Sequence, residues 1–159
     1  MNFIYEPAED SYLMSKVLEN KIPKLLKQNS ELKVLEIGCG SGIQLQTLKK
    51  LKVKNIFSCD INSNAVIHCK KLGFNCVKSN LFSEIKIKFD IIIFNPPYLP
   101  ENKDEPKDSR IATTGGKQGS EIINKFLKQA KNHLNSDGKI FLLTSSLTKK
   151  INWQNFKKR

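Results

Sequence analysis

The stretch FDIIIFNPPY, Phe89 to Tyr98, is an apolar run that stops at a stiff polar turn. Four consecutive apolar residues, Ile91 to Phe94, are typical of a parallel strand that is buried on both faces. The two prolines fix two φ angles, remove two N–H donors and favour an extended conformation for Asn95. We therefore expect Asn95 at the carboxyl end of a buried strand, where open α/β sheets bind their ligands.

The turn Asn95-Pro96-Pro97-Tyr98 combines fixed hydrogen-bond acceptors with a flat ring. The side-chain oxygen of Asn95 and the carbonyl of Pro96 can accept from a planar NH2 group, while Tyr98 offers a stacking surface. Such a nitrogen is a poor nucleophile because its lone pair is delocalised, so it gains most from exact placement and preorganised acceptors. The alternative is an ordinary turn at the end of a strand.

A glycine-rich segment lies upstream, in Glu36-Ile37-Gly38-Cys39-Gly40-Ser41-Gly42. It follows a predicted strand, Leu32 to Ile37, and precedes a predicted helix, Ile43 to Leu51. Glycines at such a junction let the backbone approach a ligand closely and expose the N-terminal amides of the helix. A single G-x-G pattern is weak evidence, because a tight turn needs glycine anyway.

The strand–helix unit then repeats, with a polar residue at the end of each strand. A strand over Asn55 to Cys59 ends in Asp60, a helix covers Asn62 to Lys71, and a strand over Cys76 to Ser79 ends at Asn80. This spacing suits consecutive βα units whose ends line one edge of a sheet. A carboxylate at Asp60 can accept both hydroxyls of a ribose; a helix cap is the alternative.

The flanking segments predict further helices and one more strand. The opening loop runs into a helix that continues to about Gln28 and that Pro23 breaks or kinks. Glu9 and Asp10 are interpreted as caps and dipole partners of this helix. Its apolar face is formed by Leu13, Val17, Ile22, Leu25 and Leu26.

The part of the chain after Tyr98 begins with about twenty residues, Leu99 to Gly119, that lack periodicity and are predicted to form a lid or substrate loop. A helix over Ser120 to Leu134, an Asp137-Gly138 turn and a strand over Lys139 to Thr144 follow. The tail is expected to form one short helix that packs against the last strand. The inward-facing residues of the Ser120 helix are Ile122, Ile123, Phe126, Leu127 and Ala130.

With 159 residues, the chain is expected to form one domain. It divides into an N-terminal loop and helix (1–30), a core (31–145) and a tail (146–159). The net charge is +12, but only Arg110 and Arg159 among the 27 basic residues are arginine. Two interpretations stay open, a basic surface that contacts nucleic acid or the ribosome, and a lysine bias of the genome.

The four cysteines show no C-x-x-C spacing and fall mostly in apolar surroundings, so we expect them to be buried and reduced. No metal site is expected, because these cysteines and His68 and His133 lack the spacing of zinc ligands. No targeting segment and no long apolar run is visible, so a cytoplasmic protein is expected.

Taken together, these motifs resemble the class I S-adenosylmethionine-dependent methyltransferases. Within that class the chain resembles the HemK-type protein glutamine methyltransferases, specifically the eukaryotic and archaeal branch that modifies class I translation release factors. The resemblance implies an α/β Rossmann-like fold, a mostly parallel open sheet with helices on both faces, shortened at its C-terminal edge. The motifs that carry it are Tyr5-Glu6-Pro7-Ala8-Glu9-Asp10-Ser11, Glu36 to Gly42, Asp60, Asn95 to Tyr98, and Gly115-Gly116 with Gly119 and Glu121.

The resemblance also implies a role for each motif. The cofactor, S-adenosylmethionine, would be converted to S-adenosylhomocysteine, and the acceptor would be the glutamine of a Gly-Gly-Gln motif. The residues expected to bind the cofactor are Ser11 at its methionine end, Glu36, Gly38 and Gly40 in its amino-acid and ribose region, Asp60 at the ribose hydroxyls, Asn80 and Leu81 around the adenine, and Asn95 beside the methyl group. The residues expected to hold the substrate amide are Asn95, Pro96, Pro97 and Tyr98, with Asn95, Pro96 and Tyr98 taking part in catalysis.

The position of Asn80 departs from the family, which usually has an acidic residue there, so somewhat weaker cofactor binding is predicted. The resemblance further implies a heterodimer with a small zinc-binding activator protein. Two other functions compete with release-factor methylation. One is methylation of the exocyclic amine of adenine in RNA or DNA, and the other is a degenerate methyltransferase fold that serves as a binding subunit.

Overall fold

The computed structural model describes residues 4–101 and 113–156. Short 3-10 turns lie at Lys131–His133 and Trp153–Phe156. The helices and strands of the described part are, in chain order, α1 (Glu9–Gln28), β1 (Lys33–Ile37), α2 (Ile43–Lys50), β2 (Asn55–Asp60), α3 (Ser63–Lys71), β3 (Asn75–Lys78), β4 (Phe89–Phe94), α4 (Glu121–Ala130) and β5 (Leu134–Leu142).

The five strands form one sheet in the order β3-β2-β1-β4-β5, and every neighbouring pair is parallel. The strand order reverses between β1 and β4, where Val34 pairs with Ile91 and Ile37 pairs with Phe94. In open α/β sheets a ligand crevice lies at the carboxyl ends of the strands on either side of such a switch. The predicted α/β architecture with a parallel sheet is confirmed.

Strand β4 is buried on both faces, as predicted. Its alternate residues Ile92 and Phe94 pack on one side with α4, while Ile91 and Ile93 pack on the other side with α1. Ile92 and Ile93 are completely inaccessible to solvent. Because the side chains of a strand alternate between faces, one apolar run serves both layers of the core.

The four cysteines are buried and unbridged, as predicted. Cys39, Cys69 and Cys76 lie in a small third cluster between α2, α3 and β3, where the sulfur atoms of Cys39 and Cys76 are 3.4 Å apart. These thiols behave as small apolar residues that fill space under the glycine-rich segment.

The predicted helix over Ser120 to Leu134 is too long by about one turn. Helix α4 ends at Ala130, and Leu134 begins β5, where it pairs with Phe89. The predicted Asp137-Gly138 turn therefore lies inside the strand, at a shift of the β4–β5 register. The shift absorbs extra residues of β5, a long-range pairing effect that local sequence patterns do not reveal.

Two smaller predictions are also corrected. Pro23 does not break helix α1, which continues from Glu9 to Gln28. The C-terminal tail packs on helix α4 rather than on the last strand, and the side-chain amide of Asn124 donates to the carbonyl of Lys150. Within the described residues, no helix is long and apolar enough to cross a membrane.

Candidate active site

A cavity of about 370 Å³ opens at the carboxyl ends of the strands, at the switch between β1 and β4. It gathers nearly all of the residues predicted for the site. Those that line it are Ser11, Glu36, Gly38, Gly40, Asp60, Asn80, Leu81, Asn95, Pro96 and Pro97. Tyr98 does not line the cavity. Its hydroxyl lies 3.4 Å from the carboxylate of Asp10, a residue that does line the cavity.

The glycine-rich segment connects β1 to α2 through a backbone that requires glycine. Gly38, Gly40 and Gly42 all have positive φ angles, of 70°, 47° and 78°. A Cβ atom on Gly40 would meet nothing within 4 Å, so its requirement for glycine is conformational rather than steric. Because glycine has no side chain, the backbone of Gly38 and Gly40 itself forms part of the cavity wall.

Asp60 braces this loop from the end of β2. One carboxylate oxygen accepts from the N–H of Gly40 at 2.9 Å, and the other accepts from the N–H of Asn62 at 2.8 Å. Helix α3 is capped by Asn62 itself, whose side chain accepts from the N–H of Asn64. Burial raises the pKa of Asp60, while the N–H donors of Asn62 and Gly40 oppose that rise. The carboxylate can accept a further donor from the cavity, because two carboxylate oxygens together have about four acceptor sites.

Glu36 is the most deeply buried carboxyl of the site, with 4% of its surface exposed. Within the described residues, its Oε2 atom is buried without a hydrogen-bond partner. Burial raises the pKa of Glu36 well above the usual range, and the nearby carboxylate of Asp60 raises it further. A buried acceptor of this kind is stabilised by a hydroxyl or ammonium donor in the cavity.

The segment after β3 forms the far wall of the cavity. Leu81 has a φ of 53° and is buried, and this left-handed residue turns the chain so that the exposed Asn80 borders the cavity. Ile61, which is 58% exposed, lines the cavity next to Asp60. A polar amide between two apolar side chains suits a flat heterocycle with an amino group.

Asn95 is held by a partner that the sequence did not predict. Its Nδ2 donates to Oδ2 of Asp10 at 3.1 Å, and its Oδ1 is buried without a partner among the described residues. The interpretation of Asp10 as a helix cap is thus incomplete, because the carboxylate also accepts from the hydroxyls of Tyr5 and Tyr98. Tyr5 and Asp10 lie 85 or more residues from the turn they support, too far for any sequence pattern to reveal.

A buried polar network fixes the start of α1 against α2 at the cavity edge. The side chain of Gln44 donates to the carbonyl of Ser11 at 2.8 Å and accepts from the hydroxyl of Ser15 at 2.9 Å. Gln44 is 2% exposed and also lines the cavity. It was not predicted as a site residue, because a glutamine inside a helix carries no distinguishing pattern.

The glycines in the last part of the predicted lid pack against the Asn95-Pro96-Pro97-Tyr98 turn. The N–H of Gly115 donates to the carbonyl of Leu99 at 2.9 Å. A Cβ atom on Gly115 would lie 2.5 Å from the carbonyl oxygen of Pro97 and would also overlap the backbone of Gly119. Most of the predicted lid, residues 102–112, lies outside the described residues.

Comparison with known proteins identifies the family. The model of the family described as "Methyltransferase small domain" matches residues 14–152. A Methanocaldococcus jannaschii protein, provisionally named a protein N5-glutamine methyltransferase, is 40% identical over 91% of this chain and 74% of its own length. The chain belongs to the HemK-type protein glutamine methyltransferases.

Other members support the same assignment. The eRF1 methyltransferase catalytic subunit mtq2 of Schizosaccharomyces pombe is 34% identical over 92% of this chain and 74% of the relative. The release factor glutamine methyltransferase of Borreliella burgdorferi is 36% identical over 74% of this chain and 46% of the relative.

A solved structure shows the same class I methyltransferase fold. The Thermus thermophilus 16S rRNA N2 G1207 methyltransferase, solved with AdoMet and guanosine, matches with a TM-score of 0.63 at 17% identity, over 91% of this chain and 36% of that chain. The protein is a methyltransferase of the α/β class whose cofactor is S-adenosylmethionine. Three features of the cavity fit the donor groups of that cofactor. They are the unpartnered Oε2 of Glu36, the glycine backbone between β1 and α2, and the carboxylate of Asp60.

Proposed function

We propose that this protein methylates the side-chain amide nitrogen of the glutamine in the Gly-Gly-Gln motif of a class I translation release factor. The observation that carries the proposal is the buried Oδ1 of Asn95, an acceptor without a partner among the described residues, beside the cavity that suits the cofactor. The names of the relatives in fission yeast and Borreliella, both glutamine or release-factor methyltransferases, support the choice of substrate.

The cofactor would lie along the carboxyl edge of the sheet. Ser11 would cover its methionine end, Glu36 with the backbone of Gly38 and Gly40 would hold its amino-acid and ribose region, and Asp60 would accept from the ribose hydroxyls. Asn80 and Leu81 would frame the adenine. The positions of these residues around one cavity support this arrangement, because each motif meets the part of the ligand that its chemistry suits.

The acceptor amide would lie over the Asn95-Pro96-Pro97-Tyr98 turn. Oδ1 of Asn95 and the carbonyl of Pro96 would accept its two N–H groups, and Tyr98 would fix its plane. Bound S-adenosylmethionine supplies an electrophilic methyl group on a sulfonium. The chain needs no dedicated general base, because the N-methylated amide loses its extra proton readily once the carbon–nitrogen bond has formed. Placement and acceptor alignment therefore provide the catalysis.

The test of this proposal is methyl transfer from labelled S-adenosylmethionine to a purified class I release factor and, in parallel, to RNA. We expect label on the glutamine of the Gly-Gly-Gln motif, and none when that glutamine is replaced by alanine. Label on RNA alone would replace the proposal by adenine-amine methylation. Cofactor binding without transfer to either acceptor, even with an activator present, would favour the role of a binding subunit.

We further propose a heterodimer with a small zinc-binding activator protein. The S. pombe relative is named a catalytic subunit, which describes one part of a complex. Large apolar side chains are also exposed along the β3 edge of the sheet, among them Leu72, Val77 and Ile87. A fully active, monodisperse monomer at low micromolar concentration would contradict this proposal.

A further inference from the structure

Asp10, the second residue of helix α1, directs its carboxylate into the cavity wall. The two oxygens accept from five groups, one of which is the hydroxyl of Ser11 at 3.2 Å. The other four are the N–H of Ser11 at 2.7 Å, the hydroxyl of Tyr5 at 3.2 Å, Nδ2 of Asn95 at 3.1 Å and the hydroxyl of Tyr98 at 3.4 Å. One side chain thereby ties the start of the chain to the acceptor turn, although nothing in the comparisons gives it a role.

These contacts decide which way the amide of Asn95 points. An ionised carboxylate offers only acceptors, so the atom of Asn95 that faces Asp10 has to be the NH2 group. Oδ1 of Asn95 is then turned away from Asp10, and it is the atom left buried without a partner among the described residues. If the amide of Asn95 were rotated by half a turn, its NH2 group would face the NH2 group of the substrate glutamine. Two groups of hydrogen-bond donors would then meet.

We infer that Asp10 is the positioning residue of the acceptor site, acting through Asn95 and Tyr98 rather than on the reacting atoms. This inference rests on the proposed function, since it assigns Oδ1 of Asn95 to the incoming NH2 group. Asp10 holds that oxygen towards the acceptor and fixes the phenol of Tyr98 beside it. The cofactor does not contact Asp10 in this assignment, and the carboxylate reaches it only through Ser11. Cofactor affinity should therefore depend on Asp10 much less than catalysis does.

The two tyrosines provide a readout that is independent of catalysis. Burial is the main cause that raises the pKa of Tyr5 to about 12, and the charge and hydrogen bond of Asp10 add to it. Burial likewise raises the pKa of Tyr98, and Asp10 adds to that rise through the same two effects. Removing the carboxylate should therefore lower both values part of the way towards the ordinary pKa of about 10.

The experiment compares Asp10→Asn with Glu9→Gln, its neighbour in the first turn of α1. Both carboxylates interact favourably with the dipole at the N-terminus of α1. Glu9, however, is exposed and does not line the cavity. Three quantities are measured: kcat and KM for release-factor methylation, the Kd of S-adenosylmethionine by calorimetry, and the ultraviolet titration of the phenols in a Tyr12→Phe background. Asp10→Ser is prepared as a second variant in case Asp10→Asn does not fold.

We expect Asp10→Asn to lower kcat about 10- to 100-fold, because the charge-assisted hydrogen bonds that hold Asn95 and Tyr98 beside the substrate amide are lost. The Kd of the cofactor should stay within about threefold, and the phenols should ionise at lower pH. Glu9→Gln should change none of these quantities. Unchanged kcat, an equal loss of cofactor affinity, or an unchanged phenol titration would overturn the inference. If the parent protein does not methylate the release factor but the titration shifts, the proposed function fails while the contacts of Asp10 stand.

Discussion

Replacement of Glu36 by glutamine should stabilise the cofactor-free protein and weaken cofactor binding at the same time. Glu36 is 4% exposed, and one of its carboxylate oxygens has no partner in the described part of the chain. Burial, with the nearby carboxylate of Asp60, raises the pKa of this carboxyl well above the usual range. Glutamine keeps the shape of the side chain and removes the ionisation.

The sign of the stability effect follows from proton linkage. Because the folded state binds the proton of Glu36 more tightly than the unfolded state, stability falls as pH rises from the ordinary glutamate pKa of 4.5 towards the raised folded pKa. Each pH unit in that window is worth up to about 1.4 kcal/mol, so the penalty is larger at pH 7 than at pH 5. Allowing for relaxation, we expect Glu36→Gln to gain about 1 to 3 kcal/mol at pH 7 and under about 1 kcal/mol at pH 5.

Cofactor affinity should change in the opposite direction. In the complex, donors of the bound cofactor favour the ionised form of Glu36. A hydrogen bond to an ionised carboxylate contributes about 1.5 to 3 kcal/mol, and an amide oxygen recovers only part of it. We therefore expect the Kd for S-adenosylmethionine to rise about tenfold or more.

The measurement combines thermal unfolding of the dialysed protein at pH 5 and pH 7 with calorimetric titration of the cofactor. The midpoint should rise by about 3 to 8 °C at pH 7 for a chain of this size, and less at pH 5. Glu19→Gln, an exposed glutamate on α1, serves as the matched control. A variant that is less stable than the parent at pH 7, or that binds the cofactor equally well, would refute the reasoning.

Three further substitutions separate the parts of the site. Asn95→Ala should abolish methyl transfer while the Kd of the cofactor, measured by calorimetry, stays within a few-fold, since Oδ1 of Asn95 is assigned chiefly to the substrate amide. An equal loss of transfer and of cofactor affinity would contradict that assignment. Asn80→Ala should weaken cofactor binding about 3- to 10-fold through the loss of one neutral hydrogen bond, and tighter binding would show that Asn80 does not hold the adenine. Gly115→Ala should lower kcat/KM about 100-fold without unfolding the protein, because the new methyl group displaces the carbonyl of Pro97. Lys117→Ala in the same loop is the control. Normal activity of the glycine variant would count against the packing of Gly115 on Pro97.

The fold class, and the placement of most candidate site residues at one edge of the sheet, were predictable from the amino-acid sequence. Apolar runs such as Ile91 to Phe94 read as buried strands, and polar residues at strand ends, Asp60 and Asn95, are brought to one edge by any parallel sheet. The glycine-rich turn was predictable because its positive φ angles admit few other residues. Local chemistry and chain geometry suffice for such features.

The side chains that hold these residues in place could be identified only from the three-dimensional fold. The partnership of Asp10 with Asn95 and the bond from Gln44 to Ser11 join positions 85 and 33 residues apart, so no short-range pattern encodes them. The start of β5 at Leu134 likewise depends on pairing with Phe89, which overrides the local helical preference. Periodicity and turn chemistry report on neighbours along the chain, whereas the orientation of an amide or the register of an edge strand is fixed by distant atoms.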